Sequence, residues 1–161
     1  MLKFTNPNSL SKPFSRYTHV VAAPENCRWV HISGQVGAAA DGTIPEGFEG
    51  QARQVWANVI AAIRAGGLDI RDIVKAGIFL TRREDIQASR SIRDEVLGGH
   101  APASTMLVVS GLALPSLLIE VEAIAARPMA TARAAKSQTA QKRTKPARKA
   151  AKKAKAKSRR R

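Results

Sequence analysis

Residues 102–125, PASTMLVVSGLALPSLLIEVEAIA, contain two β-rich runs that set the interpretation of the rest of the chain. The runs cover residues 105–109 and 117–125, and the glycine and proline between them interrupt strands. Because the connection is short, the two strands are predicted to pair as an antiparallel hairpin. Glu120 and Glu122 are one alternation apart, so one face of the second strand is predicted to be acidic.

Two helices are predicted upstream of this stretch, and each ends at a pair of glycines. From Phe48, apolar residues recur at the i, i+3, i+4 spacing of one helical face until Gly66 ends the helix. Trp56 lies on this stripe and is predicted to belong to the core. A weaker stripe, in which Ile92 or Arg93 takes one position, predicts a second helix over residues 86–97.

Strands are predicted before the first helix and between the two helices. Residues 17–22 and 28–33 predict a hairpin, residues 72–81 predict a strand, and residues 1–16 are predicted to be irregular. The resulting order is β-β-α-β-α-β-β, an α/β (α+β) fold with both helices on one face of a mixed sheet. The second face has little polar surface, so oligomerisation through it is predicted.

The positive charge of the chain is concentrated in its last residues. Residues 128–161 hold 14 of the 27 basic residues and no acidic residue, which leaves 13 basic and 12 acidic residues in 1–127. The last segment has no large apolar residue after Met129, so it cannot bury enough surface to offset its ordering entropy. The sequence therefore predicts a domain at 1–127 and a disordered basic tail at 128–161.

The basic tail predicts sequence-independent contact with the phosphates of DNA or RNA. A solubilising tail with no dedicated partner is the alternative. A membrane surface is not predicted as a partner, because no aromatic or leucine anchor accompanies the charge. No window approaches the roughly 18 apolar residues of a membrane span, and the N-terminus lacks a signal-peptide pattern, so a cytoplasmic protein is predicted.

Single reactive side chains give little indication of chemistry by themselves. Cys27 is the only cysteine, which excludes an intramolecular disulfide, and we interpret it as a small residue at the start of a strand. His31 has no second His, Cys or carboxylate at metal-ligand spacing, so no metal site is predicted. Gly34 and Gly37 allow close approach of the backbone, but their spacing is not that of a phosphate-binding loop.

Several short segments together carry a family likeness. They are SGQ at 33–35, QARQ at 51–54, AGGL at 65–68, DIVK at 72–75, PA at 102–103 and IEVEAIA at 119–125. In this order, and with the predicted elements, they resemble the Rid family, also called YjgF or L-PSP, over about residues 14–127. The resemblance implies a chorismate-mutase-like fold and a homotrimer whose sheets form a central barrel, with ligand clefts between subunits.

The resemblance also implies a reaction and a set of site residues. RidA proteins hydrolyse enamines and imines of 2-amino acids to 2-keto acids and ammonia, without a metal or organic cofactor. The implied enzyme is a hydrolase similar to 2-iminobutanoate/2-iminopropanoate deaminase. Glu120 is then the candidate catalytic acid, which positions a water molecule for attack on the imine carbon. The candidate substrate-binding residues are Tyr17, Gly34, Ser104, Thr105 and Met106.

The chain departs from the family pattern at the residue that binds the substrate carboxylate. RidA proteins have an arginine two residues after the proline of a Pro-Ala-Arg-Ser pattern, and its planar guanidinium pairs with the carboxylate through two hydrogen bonds. Here Ser104 occupies that position, as in an arginine-less branch of the family. Another arginine, such as Arg16, Arg28 or Arg90, could reach the cleft; the ligand could lack a carboxylate; or the domain could bind without catalysing. The sequence favours the last two of these three explanations.

The acids of the last strand and the overall function each allow a second interpretation. Glu120 could instead be a sheet-face acid hydrogen-bonded to backbone amides, and Glu122 is assigned such a structural role. The alternative function is a non-enzymatic nucleic-acid-associated protein in which the trimer displays three basic arms. Ribonuclease activity, which the L-PSP name suggests, has no support in these residues, because no His pair or His-Lys constellation is evident.

Overall fold

A four-stranded mixed sheet with two helices on one face forms the centre of the unit at residues 1–128. A computed structural model describes residues 1–129, so the predicted basic tail lies outside the described residues beyond its first two positions. The α+β class and the mixed sheet are confirmed. The strands are β1 (Lys3–Thr5), β2 (Val20–Ala22), β3 (Cys27–Val36), β4 (Ile73–Leu80), β5 (Ala103–Val108) and β6 (Ile119–Pro128), and the helices are α1 (Gly47–Ala65) and α2 (Ile86–Leu97).

The order of strands in the sheet is β3-β6-β4-β5, with β6 antiparallel to both of its neighbours and β5 parallel to β4. The predicted hairpin between β5 and β6 is therefore wrong, because β4 lies between them. The crossover from β4 through α2 places β5 parallel to β4 on one side. The other side of β4 remains for β6, which the connection at 109–118 is long enough to reach.

The N-terminal segment also pairs differently from the prediction. The strand β2 pairs with β1, with Lys3 opposite Ala22 and Thr5 opposite Val20, rather than with β3. The predicted first hairpin and the irregular assignment of β1 are therefore wrong. Thr18, just before β2, donates its hydroxyl to the Ala101 carbonyl at 2.7 Å and so ties this segment to the start of β5.

The hydrophobic core lies between the sheet and the two helices. The helix α1 packs on β3 and β6 and against α2, and the predicted core residue Trp56 is 1% exposed. On the sheet, Ile78, Ile119 and Val121 point toward the helices and are completely buried. Burial of each such aliphatic side chain contributes about 1.5–3 kcal/mol to folding, so this layer stabilises the fold substantially.

Both helices end at the predicted glycines. Gly66 is the C-cap residue of α1, and Gly98 is the C-cap residue of α2 with a left-handed backbone at φ 54°. Glycine takes that conformation without the steric penalty that other residues incur. Neither helix, nor any other within residues 1–129, is long and apolar enough to cross a membrane.

Candidate active site

Glu120 lies on the face of the sheet that the helices leave open. Its position on β6 is opposite Val36 of β3 and Phe79 of β4. Gly34 lies in a register shift between Ile32 and Gln35, and a Cβ atom there would overlap Oε1 of Glu120. The observed position of this carboxylate therefore requires glycine at 34, and the structure brings these two candidate residues together.

Glu122 shares the open face with Glu120, as the alternation predicts. It lies opposite Gly77 of β4, where an added Cβ atom would stand 2.7 Å from Oε1 of Glu122. Within residues 1–129, the Glu120 carboxylate accepts no hydrogen bond and forms no ion pair. Hydrogen bonding to backbone amides, the structural interpretation of Glu120, is thus not observed in the described part of the chain.

A cavity of about 190 Å³ opens on the opposite side of the sheet, between β5, α2 and the N-terminal segment. Ser104 and Met106 enter it from β5, where they are paired with the core residues Ala76 and Ile78 of β4. Tyr17 lines it from the N-terminal segment. The lining residues are Phe14, Ser15, Tyr17, Arg90, Arg93, Ser104 and Met106.

Thr105 points away from this cavity, because successive residues of a strand point to opposite faces. Its hydroxyl accepts a hydrogen bond of 2.6 Å from Nζ of Lys75. The six candidate residues therefore form two groups. Tyr17, Ser104 and Met106 line the cavity on the helix side, whereas Gly34, Thr105 and Glu120 lie on the open face. One copy of the chain does not bring Glu120 to the cavity.

The cavity is lined by positive charge. Arg93 is 2% exposed, and its Nε and Nη2 donate to Oδ1 of Asp94 at 3.0 and 2.7 Å. The other carboxylate oxygen of Asp94 lies 3.8 Å from Nε of Arg16. Arg90 has no hydrogen-bonding or ionic partner within residues 1–129. The Asp94 carboxylate thus compensates the charge of both Arg93 and Arg16. The charge of Arg90 is not compensated within residues 1–129.

The sequence predicts the position of some arginines near the cavity but not of others. Arg90 is one of the three arginines that could reach the cleft, and it lines the cavity. Arg28, another of the three, lies beside Gly67 at the end of α1 instead. No functional role is predicted for Arg93, although an arginine at an apolar-stripe position of α2 is an indication that it faces a polar cavity.

Ser104 contributes a buried polar atom to the lining of the cavity. Its Oγ is buried and has no hydrogen-bond partner among the described residues. A buried hydroxyl without a partner costs about 1–3 kcal/mol, so such groups in proteins usually meet a ligand or water. Within residues 1–129, no group of three His, Cys, Asp or Glu side chains could hold a metal ion.

Comparison with known proteins identifies the family to which this chain belongs. The family model described as Endoribonuclease L-PSP matches residues 8–127. The chain belongs to this family, also called Rid. The match spans both helices and, except for Pro128 at the end of β6, all strands of the central sheet, which agrees with the likeness carried by the short sequence segments.

Rid-family relatives match most of the described chain. The RutC family protein PH0854 of Pyrococcus horikoshii is 31% identical over 116 residues, which are 71% of this chain and 89% of that protein. A 2-iminobutanoate/2-iminopropanoate deaminase of Capra hircus is 31% identical over 108 residues, 65% of this chain and 78% of the goat protein. The crystal structure of the Rid protein YyfB of Yersinia pestis gives a TM-score of 0.71 at 28% identity, covering 78% of this chain and 98% of YyfB.

Proposed function

We propose that this Rid protein is a homotrimer that binds a small metabolite in clefts between subunits and hydrolyses enamines or imines there. The observation that carries the proposal is the division of the candidate residues between two faces of the sheet. Because Glu120 and the cavity at Ser104 lie on opposite faces, a complete site needs Glu120 from one copy and the cavity from another. The deaminase activity of the goat relative supports the reaction class.

The open face supports assembly of several copies. Trp29 of β3 is 47% exposed and Leu107 of β5 is 49% exposed on this face. Large apolar side chains on an uncovered sheet face favour association with another protein surface. A symmetric trimer would cover this face and would also form the clefts.

Glu120 would act as the general base and acid of the hydrolysis. Its carboxylate accepts a proton from a water molecule whose oxygen bonds to the imine carbon, while the π electrons of the C=N bond move to nitrogen. The carboxyl group then returns the proton to nitrogen, which gives a carbinolamine. Glu120 next moves the proton of the new hydroxyl group to the amino nitrogen, the C=O bond forms as the C–N bond breaks, and a carbonyl compound and ammonia are released. The absence of other hydrogen bonds to this carboxylate within residues 1–129 leaves it available for water.

Ammonia release from 2-iminopropanoate, measured on protein verified as trimeric, tests the proposal. We expect Glu120→Gln to lower the rate by about a hundredfold or more, which is the usual contribution of general acid-base catalysis. The matched control is Glu122→Gln, two residues away on the same face, and it should retain the rate. Release at the background level from the wild-type trimer, or equal losses in both variants, would contradict imine hydrolysis.

The charge of the tail favours a second function. Residues 128–161 carry 14 basic residues and no acidic one, so we propose that the tail contacts nucleic acid through its phosphates. Three tails on one trimer would strengthen this binding without any additional contact. Residues 1–128 form one compact unit, which permits comparison of the full chain with a chain that ends at Arg127.

Binding of both proteins to duplex DNA at low and at moderate salt tests this second function. The full chain should bind more tightly, and its affinity should fall steeply with salt because counterions are released on binding. Equal affinity of the two chains at low salt would show that the tail has no such role. RNA of the same length, measured in parallel, shows whether the contact discriminates between nucleic acids.

A further inference from the structure

We propose that Arg90 and Arg93 of α2, together with the hydroxyl of Ser104, bind the carboxylate of a small 2-oxo or 2-imino acid. The charge that the family places at the Ser104 position would then come from the neighbouring helix. This inference deepens the proposed function, on which it rests, by naming the ligand class of the same cavity. Of the three explanations for the missing family arginine, it selects the one in which another arginine reaches the cleft.

Arg90 is the guanidinium available for a ligand. It lines the cavity, is partly buried, and has no hydrogen-bonding or ionic partner within residues 1–129. A partly desolvated arginine without an anionic partner is unfavourable unless an anion joins it. Its planar group can donate two parallel hydrogen bonds to a carboxylate, which makes a carboxylate the best-matched anion.

Arg93 provides a second, fixed positive charge one helical turn away. Its hydrogen bonds to Asp94, and a longer one of 3.4 Å from Nη2 to Oγ of Ser15, hold the side chain in place. Asp94 compensates this charge only in part, because it also lies 3.8 Å from Arg16. No acidic residue lines the cavity within residues 1–129, so the local charge favours an anionic ligand.

Ser104 connects the two arginines to the departure from the family pattern. A long side chain at position 104 would occupy the cavity that Ser104 lines, so serine leaves room for a ligand held by α2. The buried Oγ of Ser104 lacks a partner among residues 1–129, and a carboxylate oxygen in the cavity would accept its hydrogen bond. Serine in place of the family arginine therefore removes one carboxylate-binding group and leaves room for a carboxylate held by the arginines of α2.

The size of the cavity restricts the ligand. The part of the cleft that one copy provides has a volume of about 190 Å³, below the ~300–1,000 Å³ of sites for larger ligands, so a short acid fits it better than a nucleotide or a cofactor. Phe14 and Met106 line it as well, and they provide apolar contacts for a short alkyl chain. These features together match a 2-oxo or 2-imino acid with a small side chain.

Titration calorimetry on the full-length protein tests the inference, with 2-oxobutanoate as the probe and its neutral amide, 2-oxobutanamide, for comparison. We expect the acid to bind at least about tenfold more tightly than the amide, because charge-assisted hydrogen bonds are about twice as strong as neutral ones. Arg90→Gln should remove this preference. Arg83→Gln is the matched control, since Arg83 is exposed, does not line the cavity, and undergoes the same change of charge.

A second variant separates binding from folding. Ser104→Ala removes the buried hydroxyl without adding bulk, and it should weaken binding of the acid less than Arg90→Gln does. Circular dichroism of each variant shows that the fold is retained. Equal affinity for acid and amide in the wild type, no measurable binding of the acid, or the same affinity in Arg90→Gln and Arg83→Gln would each overturn the inference.

The binding measurement also distinguishes this inference from the proposed hydrolysis. It involves no turnover, so the Glu120→Gln variant should bind 2-oxobutanoate even though it releases ammonia about a hundredfold more slowly. Binding that depends on Arg90, combined with ammonia release at the background level in the wild type, would support the anchor and contradict the hydrolysis. Ammonia release that is unchanged in Arg90→Gln would support the hydrolysis and contradict the anchor.

Discussion

The two faces of the central sheet are built from alternate residues of the same strands, yet they differ in chemistry. The helix face is closed by aliphatic side chains such as Ile78 and Val121, both completely buried. The open face carries Glu120 and Glu122 above two glycines, and Leu107 is 49% exposed there. Neighbouring residues of one strand therefore serve different purposes, since one stabilises the core and the next carries the proposed catalytic group. Substitutions on the two faces should accordingly affect different properties of the protein.

The largest effect should come from opening the helix face. Trp56→Ala removes a side chain that is 1% exposed, and we expect the free energy of unfolding to fall by about 3–5 kcal/mol, as for other buried aromatic residues. Urea denaturation followed by circular dichroism measures this change. Leu114→Ala is the control, because Leu114 is 52% exposed and should change stability by less than ~0.5 kcal/mol. Similar losses in both variants would contradict the assignment of the core.

The open face should respond through assembly rather than through folding. Leu107→Asp places a charge on an exposed position of β5, so the single chain should fold while the proposed trimer dissociates. Light scattering measures the mass, and circular dichroism reports the fold. Leu114→Asp provides the same change outside the sheet and should remain trimeric. A Leu107→Asp protein with the mass of a trimer would show that this face does not mediate assembly.

A more limited change tests the contact between Gly34 and Glu120. Gly34→Ala forces the carboxylate to move, and because a displacement of ~1 Å can cost about a hundredfold in rate, we expect ammonia release to fall by about that factor. Stability should change little, since the end of a flexible side chain can shift. Gly77→Ala displaces Glu122 instead and should preserve the rate. Equal rates in wild type and Gly34→Ala would contradict a catalytic position for Glu120.

The smallest effect should come from the outer surface of the helix layer. Arg53 donates to both carboxylate oxygens of Glu95 at 2.9 and 3.1 Å, and this hydrogen bonding lowers the pKa of Glu95 below its usual value of 4.5. A lowered pKa stabilises the fold above the unfolded-state pKa, and the contribution disappears as the pH falls through the folded-state pKa. Glu95→Gln should therefore be slightly less stable than wild type at neutral pH.

Thermal unfolding of Glu95→Gln and wild type between neutral pH and pH ~3 measures this contribution, since the relevant transition lies below the usual glutamate pKa. The two melting temperatures should converge in acid. A difference that grows as the pH falls would contradict the sign of the shift. Because the pair is exposed, salt should also reduce the difference.

Local sequence patterns predict the two helices and the strands of the central sheet, but they predict neither β1 nor the pairing of the strands. The observed α2 covers residues 86–97, as the apolar stripe and the following glycine predict. Alternation identifies a strand without identifying its neighbour, and for this reason the predicted pairing of β5 with β6 is wrong. The strand that both of them contact is β4. Its place between them follows from the crossover through α2, which a local sequence pattern does not reveal.

The candidate site is less predictable for the same physical reason. Ser104, Thr105 and Met106 are predicted to line one cleft, but alternation sends Thr105 to the face opposite its neighbours. The role of Arg93 depends on which part of α2 faces β5, and a weak apolar stripe does not determine that. The position of Glu120 above Gly34 depends on the register between β3 and β6, which distant parts of the chain define.

The strand order has a consequence for how the protein is made. The strand β6 is the last element of the sheet in sequence, but it lies between β3 and β4 and holds them together. During synthesis, β3 and β4 emerge first and must wait with unpaired edges until residues up to Pro128 have left the ribosome. The central sheet of the nascent domain can therefore be completed only late in synthesis, when β6 pairs with two strands that are distant in sequence. Until then, chaperones that bind exposed strand edges can bind β3 and β4.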